Sequence, residues 1–313
     1  MARQLHHFVP RFYLRRFIDE KQSEHELVWT YERGKDEPEL RPLDHIAARN
    51  NYYTMELGGG NKDQGIEKMF SVLEGEAASV LDKLAKGERQ LCSDDREAFS
   101  MFLAFGWSRV PKFREEVEES AAVLMNQYAQ DLARDSESFA KSIAKFQGKT
   151  GTKIDDWEKL REAILEKKLE VIARPEFSLQ IMLLNFHLLS DMILAMQWSF
   201  RETDSLDPLV TSDNPVVLNN PTMLEGAGPP TPLALEATFP ISPELLFVAT
   251  WDGHAGTGPM RARLARTINE LMALAADKYV YTSAKIPAIS KYLAQPRKRL
   301  IDPDVLQRIA REI

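Results

Sequence analysis

A chain of 313 residues, 44% hydrophobic and 28% charged, has the balance of a folded protein and is long enough for one large core or two fused subdomains. Its formal charge of -7 and pI near 5.5 argue against a nucleic-acid or anionic-membrane partner drawn by the field of the whole chain, leaving only local basic patches for such contacts. The single cysteine, Cys92, rules out an internal disulfide and a cysteine-based zinc site, and fits a reducing, cytoplasmic setting.

The opening MARQLHHFVPRFYLRRF carries charge without an apolar run, so no secretory signal is expected. A first helix is expected from Pro10, because proline suits the first helical position. ELVWTYER reads as a strand in which Leu27, Trp29 and Tyr31 alternate, ARNNYYTM as a short extended piece, and GGGNKDQG as a loop. From Ile66 to Leu84 the apolar residues fall at spacings of three, four and seven, the stripe of an amphipathic helix.

Ser93 is expected to cap the next helix, which runs to Pro111. A charged helix is expected over 112–146 until GKTGT breaks it, and another over DDWEKLREAILEKKLEVI. FSLQIMLLNFHLLSDMILAM, 177–196, is interrupted by Asn185, His187, Ser190 and Asp191, and reads as a buried core helix rather than a membrane span. Short strand-like runs follow: QWSFRE, PLVTS, PVVL, ATFPI and LLFVATW. GAGPPTP and DGHAGTGP read as loops, then come a helix over 261–276, the strand KYVYTS and a short helix in the tail from Asp302.

The expected class is α+β, since strands and helices are segregated along the chain. One large domain is expected over 1–313: a head with short strands over 1–60, a helical part over 61–196, and a strand-rich part with C-terminal helices over 197–313. The early strands are candidates to join the later ones in one sheet.

The segment HHFVPRFYLRRF, 6–17, resembles the start of a mostly prokaryotic family known as domain of unknown function 4238, with its His-Tyr-Val-Pro-x-Phe-Tyr-Leu-x-x-Phe pattern. Here His7, Pro10, Phe12, Tyr13, Leu14 and Phe17 match, while Phe8 replaces the tyrosine. LVTSDNPVVL, 209–218, is similar to the family's Thr-Ser-Asp-Asn-Pro segment, FPISPELLF, 239–247, to its Phe-Pro-Leu-Ser-Pro segment, and WSRVP, 107–111, to its helix end. The resemblance implies a bacterial, soluble protein and no established reaction.

Three groups of residues could carry chemistry. Residues 1–16 hold Arg3, Arg11, Arg15 and Arg16 and no acid, with His6 and His7 beside the expected helix start. A helix N-terminus and arginine forks suit phosphate, and a histidine can move a proton near neutral pH. The alternative is a cap in which the aromatics pack and the arginines pair with acids of the middle helices. The second group is Thr211, Ser212, Asp213 and Asn214 at a strand end: a site with Asp213 as base or metal ligand, or an Asx turn bonding its own backbone. The third is His187 with Asp191, four apart on one helix face, either a pKa-perturbed functional pair or a satisfied core pair.

Glu67 and Glu74 share a face and could meet the opening arginines. Arg109 could complete an anion site or satisfy its helix end. His25, His45 and His254 have no ligand spacing, and GKTGT lacks the first glycine of a P-loop, with Ser142 and Ile143 standing there.

The leading expectation is a phosphodiester-directed, nuclease-like hydrolase with His6, His7 and Asp213 catalytic. Arg11, Tyr13, Arg15, Arg109, Ser212 and Asn214 would bind the ligand. A divalent metal is compatible and not required. The alternative is a non-catalytic binder of a phosphate-bearing or other anionic ligand, or of a protein partner.

Overall fold

The alternating run LVWTYE forms β2, Leu27–Glu32, and it lies inside a sheet that draws on both ends of the chain. The structure, a computed structural model, describes residues 5–50, 52, 55–57, 61–63, 65–203, 206–219, 236–252 and 255–299. The expectations for Arg3, Gly58 to Gly60, His254, GAGPPTP and the tail from Asp302 lie outside these residues, as does the side chain of Glu67.

The described elements confirm an α+β fold. A four-stranded antiparallel sheet runs in the order β3 (Glu39–Pro42), β2, β13 (Tyr279–Thr282), β8 (Thr211–Ser212), so early and late strands do share a sheet. A five-stranded sheet runs β12 (Gly256–Pro259), β7 (Gln197–Glu202), β11 (Leu245–Thr250), β10 (Glu236–Ser242), β9 (Val217–Asn219). Only β12 with β7 is parallel in it, and β12 forms where DGHAGTGP reads as a loop. Two ribbons complete the strands: β1 (Leu5–His7) with β4 (Ala48–Asn50), and β5 (Met55–Leu57) with β6 (Asn61–Asp63).

The chain divides into two compact units. The first holds residues 1–113 and 182–298; the second holds 114–181 with Arg299. In the first unit, cross-strand pairing aligns Phe239, Phe247 and Phe200 in a row across the five-stranded sheet. Phe99 and Phe102 of α3 (Ser93–Ser108) pack on it, with the Phe99 ring 5.1 Å from Phe247 and 6.1 Å from Phe239. Edge contacts between such rings add to the area they bury. A second core gathers on α8 (Ala262–Ala275), whose Ala265, Ile268, Met272 and Ala273 pack with Tyr31, Leu209, Val210 and Val280. Asn269, buried on that face, accepts from Val210 N–H at 3.0 Å and donates to the Pro208 carbonyl at 2.9 Å. It thereby satisfies backbone that has no strand partner there.

The first helix is shorter than expected. Pro10 is extended (ψ 138°) at the cap position, α1 spans only Arg11–Leu14, and a 3₁₀ turn continues to Phe17. Ser93 does not cap α3 but is its first helical residue, after Cys92; the acids Asp94 and Asp95 complement the helix dipole instead. α2 spans Gly65–Ala85 as its stripe predicts.

The expected single helix is two, α4 (Pro111–Arg134), whose first three residues belong to the first unit, and α5 (Ser136–Thr150). Asp135 separates them, its carboxylate accepting from the N–H groups of Glu137 and Ser138. Gly151, at φ 70°, ends α5 in the left-handed conformation that glycine adopts without steric cost. α6 (Trp157–Leu165) is shorter than its sequence pattern.

α7 (Pro175–Ala195) also departs from expectation. Met182, Phe186, Leu189 and Ile193 form its buried stripe, but Leu184 is 74% and Leu188 61% exposed. By length and composition its 176–195 span could cross a membrane, the one such helix among the described residues. Its apolar residues continue around the cylinder past the face that packs.

Candidate functional site

The four segments that carry the family resemblance meet in the first unit. Tyr13, fully buried, stacks on Phe239 at 4.8 Å and donates its hydroxyl proton to the Pro240 carbonyl at 2.8 Å. Its oxygen then accepts from Thr211 Oγ1 at 2.6 Å. Proline has no N–H to give a ladder, and β9 pairs β10 only as far as Thr238, so Pro240 offers a carbonyl without disturbing the sheet. Arg109, 1% exposed, donates to the carbonyls of Phe8 and His7, each at 2.6 Å, and to Glu74 at 2.7 Å. It anchors the opening segment rather than presenting its fork to a ligand. Glu74 thus meets the opening segment through Arg109.

The opening basic residues are already engaged. Arg11 pairs with Glu26 at 3.2 Å and Asp44 at 2.8 Å, Arg15 with Glu26 at 2.5 Å, and Arg16 with Asp82 at 2.5 Å. This is the capping arrangement, but two of the three acids, Glu26 and Asp44, lie near in sequence; only Asp82 belongs to a middle helix. His7 is half-buried, with Nε2 3.4 Å from the Leu43 carbonyl, and burial lowers its pKa against the pull of that carbonyl. His6 is 6% exposed within the β1–β4 ribbon, opposite Arg49. His187 and Asp191 are both exposed, and no ion pair joins them among the described residues, so the expected buried pair is absent.

The turn after β8 is wholly buried. Ser212 Oγ donates to the Asn214 carbonyl and accepts from its N–H, closing a local turn at 2.9 and 3.1 Å. Asp213 accepts three backbone N–H groups, from Asp277 at 2.9 Å, Lys278 at 2.7 Å and Tyr279 at 2.9 Å. Its pKa is nevertheless raised to about 6, because burial and then the charge of Asp277 outweigh those donors. Asn214 Nδ2 donates to the Ala275 carbonyl at 3.0 Å, at the end of α8, and its buried Oδ1 meets no partner among the described residues. Lys112 Nζ donates to the same Ala275 carbonyl at 2.8 Å, and Arg33 to those of Ala273, Ala276 and Asp277.

The opening segment and the 211–214 turn reach one cleft of about 170 Å³. It is lined by Phe8, Arg41, residues 45–49, Pro111, Asp213, residues 277–279 and Tyr281. Neither His6 nor His7 is among its lining residues, nor are Arg11, Tyr13, Arg15, Arg109, Ser212 and Asn214. Asp213 is therefore the one expected site residue on its wall.

The lining brings together Arg41, His45, Arg49 and Lys278 with only two carboxylates, Asp213 and Asp277. Asp213 is turned to backbone N–H groups and Asp277 is paired with Arg297. Outside the cleft, Glu39 holds Arg41 at 2.8 Å, and Glu32 holds Lys278 at 3.0 Å and Arg41 at 3.1 Å; the Glu32 carboxyl is held down to about 2, first by Lys278 and further by Lys35 and Arg41. Ala47 sits in this wall at φ 48°, a left-handed conformation that is strained for a residue with a Cβ. No cluster of three or more potential metal ligands exists among the described residues.

Sequence reasoning missed Arg41, His45, Arg49, Lys278, Tyr279 and Tyr281. The one signal available was KYVYTS, whose period of two puts both tyrosines on one strand face.

A family model described as Protein of unknown function (DUF4238) matches residues 5–285. No curated protein and no solved structure matches the chain.

Proposed function

The chain belongs to the DUF4238 family of proteins of unknown function, and from that premise we propose that it binds a small phosphate-bearing anion, without turning it over, in the cleft between residues 45–49 and 277–281. One observation carries this reading: in a chain of net charge -7, the cations Arg41, Arg49 and Lys278 converge, with His45 beside them, on one concave site. A local cluster of cations in a recess concentrates anions even when the whole molecule repels them. Arginine forks match phosphate oxygens, and a cleft wall of tyrosines supplies a partly apolar, hydrogen-bonding surface. A cytoplasmic setting fits the lone cysteine.

Binding is preferred to hydrolysis because the expected acid–base pair, His6 and His7, does not line the cleft, and the histidine that does, His45, stands among basic side chains suited to holding an anion. One observation favours the hydrolytic reading: Asp213, on the wall, titrates near pH 6, the range useful for proton transfer. In that reading Asp213 replaces the histidines as the acid–base group of a phosphodiester hydrolase.

Calorimetric titration of the full chain with inorganic phosphate, beside Arg41→Gln/Lys278→Gln, tests the binding reading. A loss of about tenfold or more in the doubly substituted chain is expected, the scale of a lost charge-assisted bond. Absence of phosphate binding by the unsubstituted chain overturns it. A parallel assay with bis(p-nitrophenyl) phosphate, with and without magnesium or manganese, should show no turnover; turnover that disappears in Asp213→Asn would establish the hydrolase instead.

A further inference from the structure

Tyr281 is the residue in the cleft whose chemistry is least accounted for. It lies at the centre of the four-stranded sheet, opposite Thr30 on β2 and Thr211 on β8. Its side chain is fully buried, yet it lines the cleft. Its hydroxyl donates to no group among the described residues. A buried hydroxyl without an acceptor is disfavoured, so one that persists calls for an explanation.

The neighbouring tyrosines show the contrast. Tyr13 donates to Pro240, and Tyr31 accepts the Ile286 N–H at 2.7 Å. Around Tyr281 the groups are arranged so that its proton stays available. The Ala47 backbone acts on the phenol oxygen without closing a hydrogen bond to it, so the hydroxyl stays unpartnered among the described residues. Asp213 is close enough to act on it electrostatically, but both Asp213 oxygens are taken up by the amides of 277–279. Burial and that carboxylate hold the phenol pKa well above its usual value, so the group is a donor at every physiological pH. Ala47, beside it in the cleft lining, is one of three non-glycine residues with positive φ among those described. Such strained positions gather where a surrounding structure fixes a ligand clamp.

Resting on the anion-binding reading of the cleft, we propose that Tyr281 is its specificity-determining donor: the phenol O–H bonds an oxygen of the bound anion, selecting a strong hydrogen-bond acceptor such as phosphate over a weak acceptor of the same shape. The cations Arg41 and Lys278 attract any anion. Tyr281 discriminates among them, because an anion that cannot accept leaves the buried hydroxyl unpaired.

The test compares phosphate with perchlorate, which is tetrahedral and anionic but a poor acceptor. The full chain and Tyr281→Phe are titrated with each at constant ionic strength. Phosphate affinity should fall about tenfold in Tyr281→Phe, while perchlorate binding stays unchanged. Equal loss for both anions, or no loss for phosphate, overturns the role of Tyr281 and leaves the cleft reading standing. If the unsubstituted chain binds neither anion, the cleft reading falls and this one with it. A measurement on the unsubstituted chain guards against a variant that fails to fold: with tyrosine labelled at 13Cζ, the Tyr281 resonance should move on saturation with phosphate and not with perchlorate. A Tyr281 signal indifferent to saturating phosphate also overturns the proposal.

Discussion

Tyr13 and Thr211, 198 positions apart, meet through hydroxyl oxygens 2.6 Å apart, and the phenol passes its own proton to Pro240. Three of the four segments behind the family resemblance are joined at this one buried point. Tyr13→Phe leaves the Thr211 hydroxyl and the Pro240 carbonyl without their partner, and should destabilise the fold by about 1–3 kcal/mol. Thr211→Val alone should lose a similar amount, and the double substitution less than the sum, because both remove the same bond. Urea midpoints of the four chains test this; strict additivity would show that the hydroxyls do not couple.

Arg109 carries the fourth segment. It is buried, and its three hydrogen-bonding directions end on Phe8, His7 and Glu74. Lysine has no fork to reach two adjacent carbonyls and a carboxylate together. Arg109→Lys should therefore lower stability by about 2–3 kcal/mol, the scale of buried carbonyls left without their charged donor. A thermal midpoint within a few degrees of the unsubstituted protein would contradict this account of the opening segment.

On α7, exposure separates apolar positions of similar size. Ile193 is fully buried, and Ile193→Ala should cost about 2–5 kcal/mol through lost transfer energy and a cavity. Leu184→Gln and Leu188→Gln change exposed positions and should stay within about 0.5 kcal/mol. Chemical denaturation distinguishes them, and a large loss at Leu184 would mean that this face is covered in solution.

The contrast along α7 shows what was legible. Its helical character and length follow from composition, but apolar residues on every side conceal which face packs. The strands in LVWTYE and KYVYTS were visible from alternation, whereas their pairing joins Tyr31 to Val280 across most of the chain and no local pattern encodes that. Asp213 stood out because an Asp-Asn-Pro turn ends a strand. Its partners at 277–279 did not, since backbone N–H groups leave no sequence signature. The basic opening looked like an anion site because its neutralising acids, Glu26 and Asp44, lie outside the segment. Arg41, His45 and Arg49 lie close in sequence, but they meet Lys278 in the cleft only through tertiary folding.

Glu32 links stability to the cleft. Its carboxyl titrates near 2, well below the roughly 4.3 of an unfolded glutamate. A depressed folded pKa gives stability that is present above about pH 4.3 and is lost as pH falls through 2. Its partners Lys278 and Lys35 are half exposed, so screening limits the contribution to about 1–2 kcal/mol. Glu32→Gln should lose that amount at pH 7 and little at pH 2. It should also release Lys278, while Arg41 keeps its pair with Glu39, strengthening phosphate binding several-fold. Weaker phosphate binding in a folded Glu32→Gln chain would show instead that Glu32 positions the two cations.

Asp213 has the opposite sign. Its folded pKa is about 6, against roughly 3.9 unfolded, so between those values the folded chain holds a proton that the unfolded chain has released. The slope of stability with pH is then negative across that window. Relative to a side chain that does not titrate, Asp213 gains stability as pH falls from 7 to 4, by about 3 kcal/mol at most. Asp213→Asn supplies that reference while keeping one oxygen for the amides of Lys278 and Tyr279. Its nitrogen faces the Asp277 N–H, so it should be less stable than the unsubstituted chain at every pH. The deficit itself carries the information. It should be smallest above pH 7, where the charged carboxylate is penalised by burial beside Asp277, and should widen steadily toward pH 4. Urea midpoints of both chains across pH 4–8 measure it. A deficit that narrows on acidification would mean that the three amides dominate over burial, and that Asp213 sits in the folded protein as a stabilised carboxylate.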